Sequence, residues 1–548
     1  MIKMWNFADV WQAVARTVPD RIAQRQGDRE VSWAQTDRRS DGLAGTLLGA
    51  GLGHQDKVAI YLYNAPEYLE TAFACQKASL VPVNTNYRYA VDELEYLWSD
   101  ADIRAVVFHG AFAEQVTEVR RRGGDYRLWV HVDDGEGECP PWAVPYEQVV
   151  LGAAPAEYPW ARSGEDILLI YTGGTTGRPK GVMWRQHDLY RVSDTAHDPP
   201  EMDLDRVCAR VEGATAPPVG LSAAPLMHGT GYVFAGTIFS RGGTLVHQQS
   251  RRFDPVHLLD TIAENRVTAL CIVGEAFGRP LVDALDAEPE RWDLSHLDAV
   301  SSAGMVWRAE SKQRLLRHAP NAVLVDLLNS SEASGMGRSV MSSRRDSATA
   351  SFRPGPNTLV IGQDGTPAVP GSGVVGRLAV RGNLPLGYYK DPVKTAEVFP
   401  VIAGVRYSFP GDWATIETDG SITLLGRGSG VVNIGGEKVY PEEVEDVLRG
   451  DDAVFDTIVA GVPDERMGEV VGCVLQFVHG AEPDVAGLLA RTRSKLASYK
   501  VPRHVLVVDS VPRAPSGKPD LMTVKRMLRE TLGRTENSEV APTNTKGS

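Results

Sequence analysis

The sequence predicts an α/β fold in two parts, a large N-terminal domain of layered α/β subdomains and a small C-terminal α+β domain. Three observations carry this expectation. Short apolar runs alternate with helical patterns through roughly the first 400 residues, as layered parallel architectures require. A glycine- and serine-bearing stretch at Gly428 to Gly430 interrupts that alternation. Beyond it, strands and helices restart for about 100 residues, enough for a compact second domain.

The elements follow in chain order. The opening MIKMWNFADVWQAVARTVPD reads as an amphipathic helix. It carries Asp9 and lacks an apolar h-region, and so does not read as a signal peptide. KVAIYLYN, Lys57 to Asn64, reads as a strand and is followed by the helical EYLETAFACQKASL. The segment from Ser193 to Leu221 contains DPPEMD and TAPPVG and is expected to be a long loop or insertion. VTALCIVG, Val267 to Gly274, is a strand ahead of the helical PLVDALDA. After the break, TIVAGV and VVGCVLQFV read as strands and VAGLLARTRSKLA as a helix, while the polar ENSEVAPTNTKGS reads as a disordered tail. These readings set a large domain at 1–426, a hinge at 427–430, a small domain at 431–533 and a tail at 534–548.

Composition removes several functions. The net charge is −13, with basic residues scattered, which argues against general nucleic-acid binding. Arg251 in RRFD and the run Arg120, Arg121, Arg122 read as solvated faces. With a mean hydropathy of −0.20 and no apolar run of about 18 residues, no spanning helix is expected. Peripheral membrane contact and a homodimer stay open. Cys75, Cys139, Cys208, Cys271 and Cys473 are far apart and form no CxxC pair. Zinc spacing is therefore missing, and free thiols in a reducing cytoplasm are the simplest reading.

YTGGTTGRPKG, Tyr171 to Gly181, follows an apolar strand and packs four glycines, three threonines and a lysine into eleven residues. Backbone N–H groups and threonine hydroxyls at such a turn can donate to phosphate oxygens. The P-loop pattern fails, because Lys180 follows Pro179 and precedes Gly181. A Rossmann G-x-G-x-x-G fails as well. The stretch resembles the phosphate-loop signature of the adenylate-forming enzymes, which include acyl-CoA synthetases, luciferases and nonribosomal adenylation domains. Its phosphate contacts would come from Thr172, Gly173, Gly174, Thr175, Thr176, Gly177 and Lys180. Gly173 stands where that family has serine, so one hydroxyl contact is missing.

Further motifs follow in the family's order. PLMHGTG resembles the segment whose histidine, His228, borders the carboxylate pocket. SSAG resembles the turn along adenine, with Ala303 and Gly304. LNSSE resembles Y-G-x-T-E, with Asn329, Ser330 and Ser331 at the nucleotide and Glu332 as the magnesium-binding glutamate. Leu328 replaces the aromatic residue that commonly stacks on the base. PGDW puts Asp412 where the family's aspartate holds the ribose hydroxyls, and Arg427 supplies the second ribose contact. Ser429 occupies the hinge position. Gly435, Gly436 and Glu437 match the segment that forms the thiol tunnel, and PRAPSGKPD puts Lys518 at the position of the family's mobile catalytic lysine. The resemblance covers roughly residues 1 to 530.

It implies a two-step reaction using ATP, Mg2+ and CoA, with Lys518, Glu332, Thr172 and His228 as catalytic residues. A carboxylate attacks the α-phosphate of ATP, and neutralising the meeting anions is the main catalytic task. The small domain is then expected to rotate about the hinge and present the tunnel to the acyl adenylate. By the same analogy His228, Gly229, Tyr232, Val233, Gly236, Val273, Gly274 and Phe277 line the acyl pocket. These are small or apolar, with no buried acid for an amino group, which favours a bulky hydrophobic acid. The wording NSSEASG, GRGSG and GGEKVYPEEVE is similar to actinobacterial fatty-acid-type CoA ligases, including those for steroid side-chain acids. Transfer to an amine or to a carrier-protein thiol is the alternative. A non-catalytic binder is disfavoured, since Lys518, Glu332 and Asp412 are all present.

Overall fold

The computed structural model describes residues 4–152, 158–173, 178–193, 203–305, 307–346, 351–362, 364–427, 432–439, 441–478, 480–512 and 520–538. Contacts divide the chain into two compact units. The first holds Met1–Tyr87, Leu94–Thr172 and Lys180–Gly428; the second holds Arg88–Glu93, Gly173–Pro179 and Ser429–Ser548.

The first unit begins with the expected helix, Phe7–Thr17, closed by a capping box between Asn6 and Asp9. Its Phe7, Val10, Trp11 and Val14 are buried at helical spacing. Among the described residues two sheets form its framework, one of 15 strands and one of eight. In the eight-stranded sheet, Lys57–Tyr61 lies between Val81–Asn84 and Ile103–His109, all parallel. Strand β1 (Ile167–Gly173) joins it beside Val81–Asn84, and β2 (Pro179–Arg185) pairs with Gly387–Tyr388. Lys57–Tyr61 is buried from Val58 to Tyr61, the unbroken apolar run of a strand covered on both faces.

The larger sheet has a parallel centre and an antiparallel extension. Helix α1 (Gly229–Ser240) precedes β3 (Ala269–Ile272), α2 (Gly274–Ala287), β4 (Ala299–Ala303), α3 (Ala309–His318) and β5 (Val323–Ser330). β3, β4 and β5 are parallel neighbours, so α2 and α3 are their crossover helices. β5 then turns back into the antiparallel β6 (Ala333–Met341). Further along this sheet, β7 (Asp412–Ile416) and β8 (Ile422–Arg427) form a hairpin.

The second unit carries a five-stranded sheet. Its strands are β9 (Val432–Ile434), β10 (Glu437–Val439), β11 (Val454–Asp464), β12 (Gly468–Phe477) and β13 (His504–Val507). Alternate residues of β11 and β12 face opposite sides, each side covered by helix. Val459, Val471 and Leu475 cluster with Val444, Leu448 and Leu488, whereas Ile458, Val462 and Val474 cluster with Val524 and Leu528.

Three expectations need correction. The Ser193–Leu221 segment is not all loop: residues 204–212 form a helix capped by Asp203, with Val207 and Val211 buried one turn apart. Arg251 is not a solvated face. It pairs with Asp134 and Glu136 and lies over the Tyr63 ring at 5.2 Å. The final helix, Leu521–Ser538, runs past the expected tail boundary at Arg534, since RTENS contains nothing that stops a helix. All five cysteines are free. No helix among the described residues is long and apolar enough to cross a membrane.

Candidate active site

The strand before the glycine-rich loop is fixed by one asparagine. Asn84 accepts from Tyr171 N at 2.7 Å and donates to Tyr171 O at 3.0 Å and Met227 O at 2.7 Å. It thereby ties the end of β1 to the PLMHG segment. The Tyr171 hydroxyl donates to Asp100 at 2.7 Å, and burial together with that bond raises the phenol well above its ordinary range. Thr172 is half-buried at the strand end. Gly173 is the last residue of β1, and Gly174, Thr175, Thr176 and Gly177 lie outside the described residues.

Lys180 re-enters on β2. Its ammonium bonds the Asp391 carboxylate and lies 5.9 Å from the Tyr388 ring centroid. Asp391 also caps the helix Pro392–Val398, accepting from Lys394 N at 2.8 Å. The Lys180 contact holds its carboxyl below the usual range.

Glu332 sits in the turn between β5 and β6. Its Oε1 accepts from the Tyr388 hydroxyl at 2.8 Å, and its backbone carbonyl accepts from Ser408 Oγ at 2.8 Å. Among the described residues its second carboxylate oxygen has no hydrogen bond. Ser331 O accepts from Trp184 Nε1 at 2.9 Å. Asn329 accepts from Gly335 N at 2.7 Å, and Ser330 Oγ from Ala333 N at 3.0 Å, so both side chains shape the turn itself. Tyr388 thus links Lys180 to Glu332, and Asp391, Ser408 and Trp184 support the same corner. None of these four stands in a motif singled out from the sequence. Leu328 is buried within the apolar cluster of Met336 and Val360.

His228 is the N-cap residue of α1 and is half-buried. The loop before it is held by Asn64, which bonds Ser222 O, Ala224 O and Leu226 N. A Cβ at Gly229 would meet nothing within 4 Å, and one at Gly236 would meet only ordinary contacts at 3.7 Å or more. A small apolar cavity beside His228 and Gly229 is lined by Tyr68, Leu169, Met227 and Tyr232. Gln76 donates to the Tyr232 hydroxyl at 2.7 Å. A second cavity, further along α1, is lined by Tyr232, Val233 and Gly236. Val273 and Phe277 belong instead to a separate cluster with Cys271, Phe234 and Met305. Of the eight pocket residues named from the sequence, His228, Gly229 and Tyr232 thus line the first cavity, Tyr232, Val233 and Gly236 the second, and Val273 and Phe277 the cluster with Cys271.

Gly274, with φ +49°, donates to Ser302 Oγ at 2.9 Å. Ala303 is buried at the end of β4, and Gly304, φ +86°, takes the left-handed turn that favours glycine. Asp412 is buried at the start of β7, and its register partner on β8 is Arg427. In the second unit, Gly435 and Gly436 have φ +54° and +94° and form the turn between β9 and β10, with Glu437 buried. Ser429 and Lys518 lie outside the described residues.

The model of the AMP-binding enzyme family matches residues 11–389, and that of the AMP-binding enzyme C-terminal domain matches residues 443–518. The chain belongs to the AMP-binding enzyme family. Within that family it is similar to a medium/long-chain-fatty-acid–CoA/3-oxocholest-4-en-26-oate–CoA ligase of Mycolicibacterium smegmatis. The two are 38% identical over 536 residues, 96% of this chain and 97% of the relative. A 3-oxocholest-4-en-26-oate–CoA ligase of Rhodococcus rhodochrous is 37% identical over 531 residues, 95% of each chain. Among solved structures, the amide bond synthetase McbA of Marinactinospora thermotolerans superposes with a TM-score of 0.80. It is 24% identical and covers 95% of this chain and 99% of its own. That likeness shows the fold, a large α/β domain followed by a smaller one. The match at residues 11–389 includes β1, β2 and the β5–β6 turn, and with them Lys180, Glu332 and Tyr388.

Proposed function

We propose that this AMP-binding enzyme is an ATP-dependent acyl-CoA ligase acting on a bulky hydrophobic carboxylic acid of fatty or steroid side-chain type. The observation that carries this reading is the corner formed by Lys180, Tyr388 and Glu332, with Lys180 on the strand that follows the glycine-rich stretch. A cation and a half-committed carboxylate so placed suit a polyphosphate with its counter-ion. The acid and the thiol acceptor come from the relatives, whose names state fatty or steroid acids and CoA.

Glu332 fits a magnesium ion. One of its oxygens is held by Tyr388 and the other has no hydrogen bond among the described residues. Among the described residues no cluster of three or more ligating side chains occurs there. Mg2+ is commonly bound by one or two carboxylates plus water and substrate phosphates, which needs no such cluster. When bound, Mg2+ would supply charge neutralisation on the phosphate oxygens.

The residues divide the work as follows. Thr172 and the loop to Lys180 hold the β- and γ-phosphates, and Lys180 exchanges Asp391 for phosphate. Asp412 and Arg427 hold the ribose, while Ala303, Gly304 and the 329–331 turn face the base and phosphates. His228 closes the carboxylate end of the acyl pocket. Lys518 bridges the carboxylate and the α-phosphate, an orienting role as well as an electrostatic one. The carboxylate oxygen bonds to the α-phosphorus as the bond to the β-phosphate oxygen breaks, and pyrophosphate leaves. After the hinge at 427–430 turns the small domain, 431–533, the CoA sulfur attacks the acyl carbon. AMP leaves, and the thiol proton passes to solvent.

Pyrophosphate release over a panel of saturated acids and a 3-oxo steroid acid, each with and without CoA, tests this reading. Acid-dependent release that CoA accelerates, with thioester formed, is the expected result. Release that is indifferent to CoA and stimulated by an amine would favour the amide alternative.

A further inference from the structure

We infer that Glu275 is a positioning residue that couples the acid pocket to the adenine turn, so that acid and nucleotide tighten each other's binding. The proposal rests on the function proposed above. Glu275 lies in the first turn of α2, two residues after Val273 and two before Phe277, and is 7% exposed. This segment therefore does hold a buried acid, contrary to the sequence expectation, but one whose oxygens are taken by α3. No cation pairs with it among the described residues. Its two oxygens are used across the fold: Oε2 accepts from Arg308 N at 3.0 Å, and Oε1 accepts from Ser311 Oγ at 2.6 Å.

Arg308 is the N-cap residue of α3 and provides no side-chain cap of its own. Glu275 therefore serves two helix N-termini at once, its own and that of α3, where negative charge is favoured. The segment between β4 and α3 is the one that contains Gly304. It is pinned at its start by Gly274 N to Ser302 Oγ, 2.9 Å, and at its end by Glu275. Two of its residues also pack back against α2 and its neighbours. Met305 joins the cluster of Val273 and Phe277, and Trp307, 1% exposed, lies so close to Gly278 that a Cβ there would fall 2.4 Å from its Nε1. Lys312, one turn into α3, bonds Asp326 on β5 and lies 5.6 Å from the Trp307 ring centroid, which fixes the far side of the bracket.

The consequence is mechanical. On the function proposed above, the first turn of α2, whose Val273 and Phe277 share a cluster with Phe234 of α1, forms one wall of the acid site, and the Ala303–Gly304 turn forms the base site. A buried, fully hydrogen-bonded carboxylate joins them, so a displacement of one wall is carried to the other. Reciprocal tightening follows, because coupling between two ligands is the same in either order.

Calorimetric titration of the full chain tests this, with dodecanoic acid and α,β-methylene-ATP plus Mg2+, each alone and each in the presence of the other. The wild type is expected to show mutual tightening of about fivefold or more. In E275A the factor should fall below about twofold. E275Q keeps one acceptor and should fall between the two. Should E275A fail to fold, S311A removes a single hydrogen bond and is expected to lower the coupling as well. Coupling retained in E275A or S311A would overturn the proposal, as would wild-type binding of both probes with no mutual effect. Wild-type binding of neither probe would overturn the function proposed above, and this inference with it.

Discussion

Replacing Tyr388 by phenylalanine removes one hydroxyl and leaves the ring. The hydroxyl donates to Glu332 Oε1 at 2.8 Å, and Tyr388 is 6% exposed. A hydrogen bond to a charged group is worth about 1.5–3 kcal/mol. Glu332 is only half-buried, so the lower end applies, and about 1.4 kcal/mol corresponds to a factor of ten. Loss of an outer partner of a metal-ligating carboxylate costs about 10–100-fold in metal affinity, which agrees. The Mg2+ concentration giving half-maximal pyrophosphate release at fixed ATP should therefore rise about tenfold in Y388F. The ring stays, and with it the Lys180 and Phe399 contacts, so the melting temperature should fall by no more than about 2–4 °C. A half-maximal Mg2+ concentration unchanged within about twofold would refute the assignment of Tyr388 as the group that orients Glu332.

Three other outcomes follow from the same corner and its supports. Lys518→Ala should abolish acyl-adenylate formation from acid and ATP yet largely spare CoA transfer from a synthetic acyl adenylate; equal loss of both steps would contradict its role. Asp391 is held below the ordinary carboxylate range by Lys180, so the pair stabilises the fold above the ordinary aspartate range and stops doing so as pH falls through the lowered value. The melting-temperature gap between wild type and Lys180→Met should accordingly be widest near neutral pH and close on acidification, and a gap that widened in acid would be wrong for this pair. Asn84→Ala removes three hydrogen bonds at 2.7, 3.0 and 2.7 Å and should cost about 2–4 kcal/mol in urea unfolding. A loss under about 0.5 kcal/mol would show that the strand end does not depend on it.

Most of the architecture was legible because local pattern and tertiary burial agree. The run Val58 to Tyr61 is apolar and is a buried strand; Phe7, Val10, Trp11 and Val14 are spaced for a helix and form one. The helix at 204–212 was hidden between proline-rich flanks, with only Val207 and Val211 to mark its buried face. The site divides in the same manner. Glu332, His228 and Asp412 stand in contiguous motifs and could be named. Tyr388 and Asp391 act on partners 56 and 211 residues away, and no local spacing encodes such a pairing. Arg251 was misread for the same reason, since Asp134 lies far upstream. Glu275 looks like an ordinary helix-start acid until α3 is seen beneath it.

The central claim is that the enzyme splits ATP between the α- and β-phosphates on a carboxylic acid. Exchange of labelled pyrophosphate into ATP, measured with acid but without CoA, tests it most directly. Acid-dependent exchange, followed on CoA addition by equal amounts of AMP and thioester, is the predicted result. No exchange with any acid, or the appearance of ADP and phosphate in place of AMP and pyrophosphate, would contradict it.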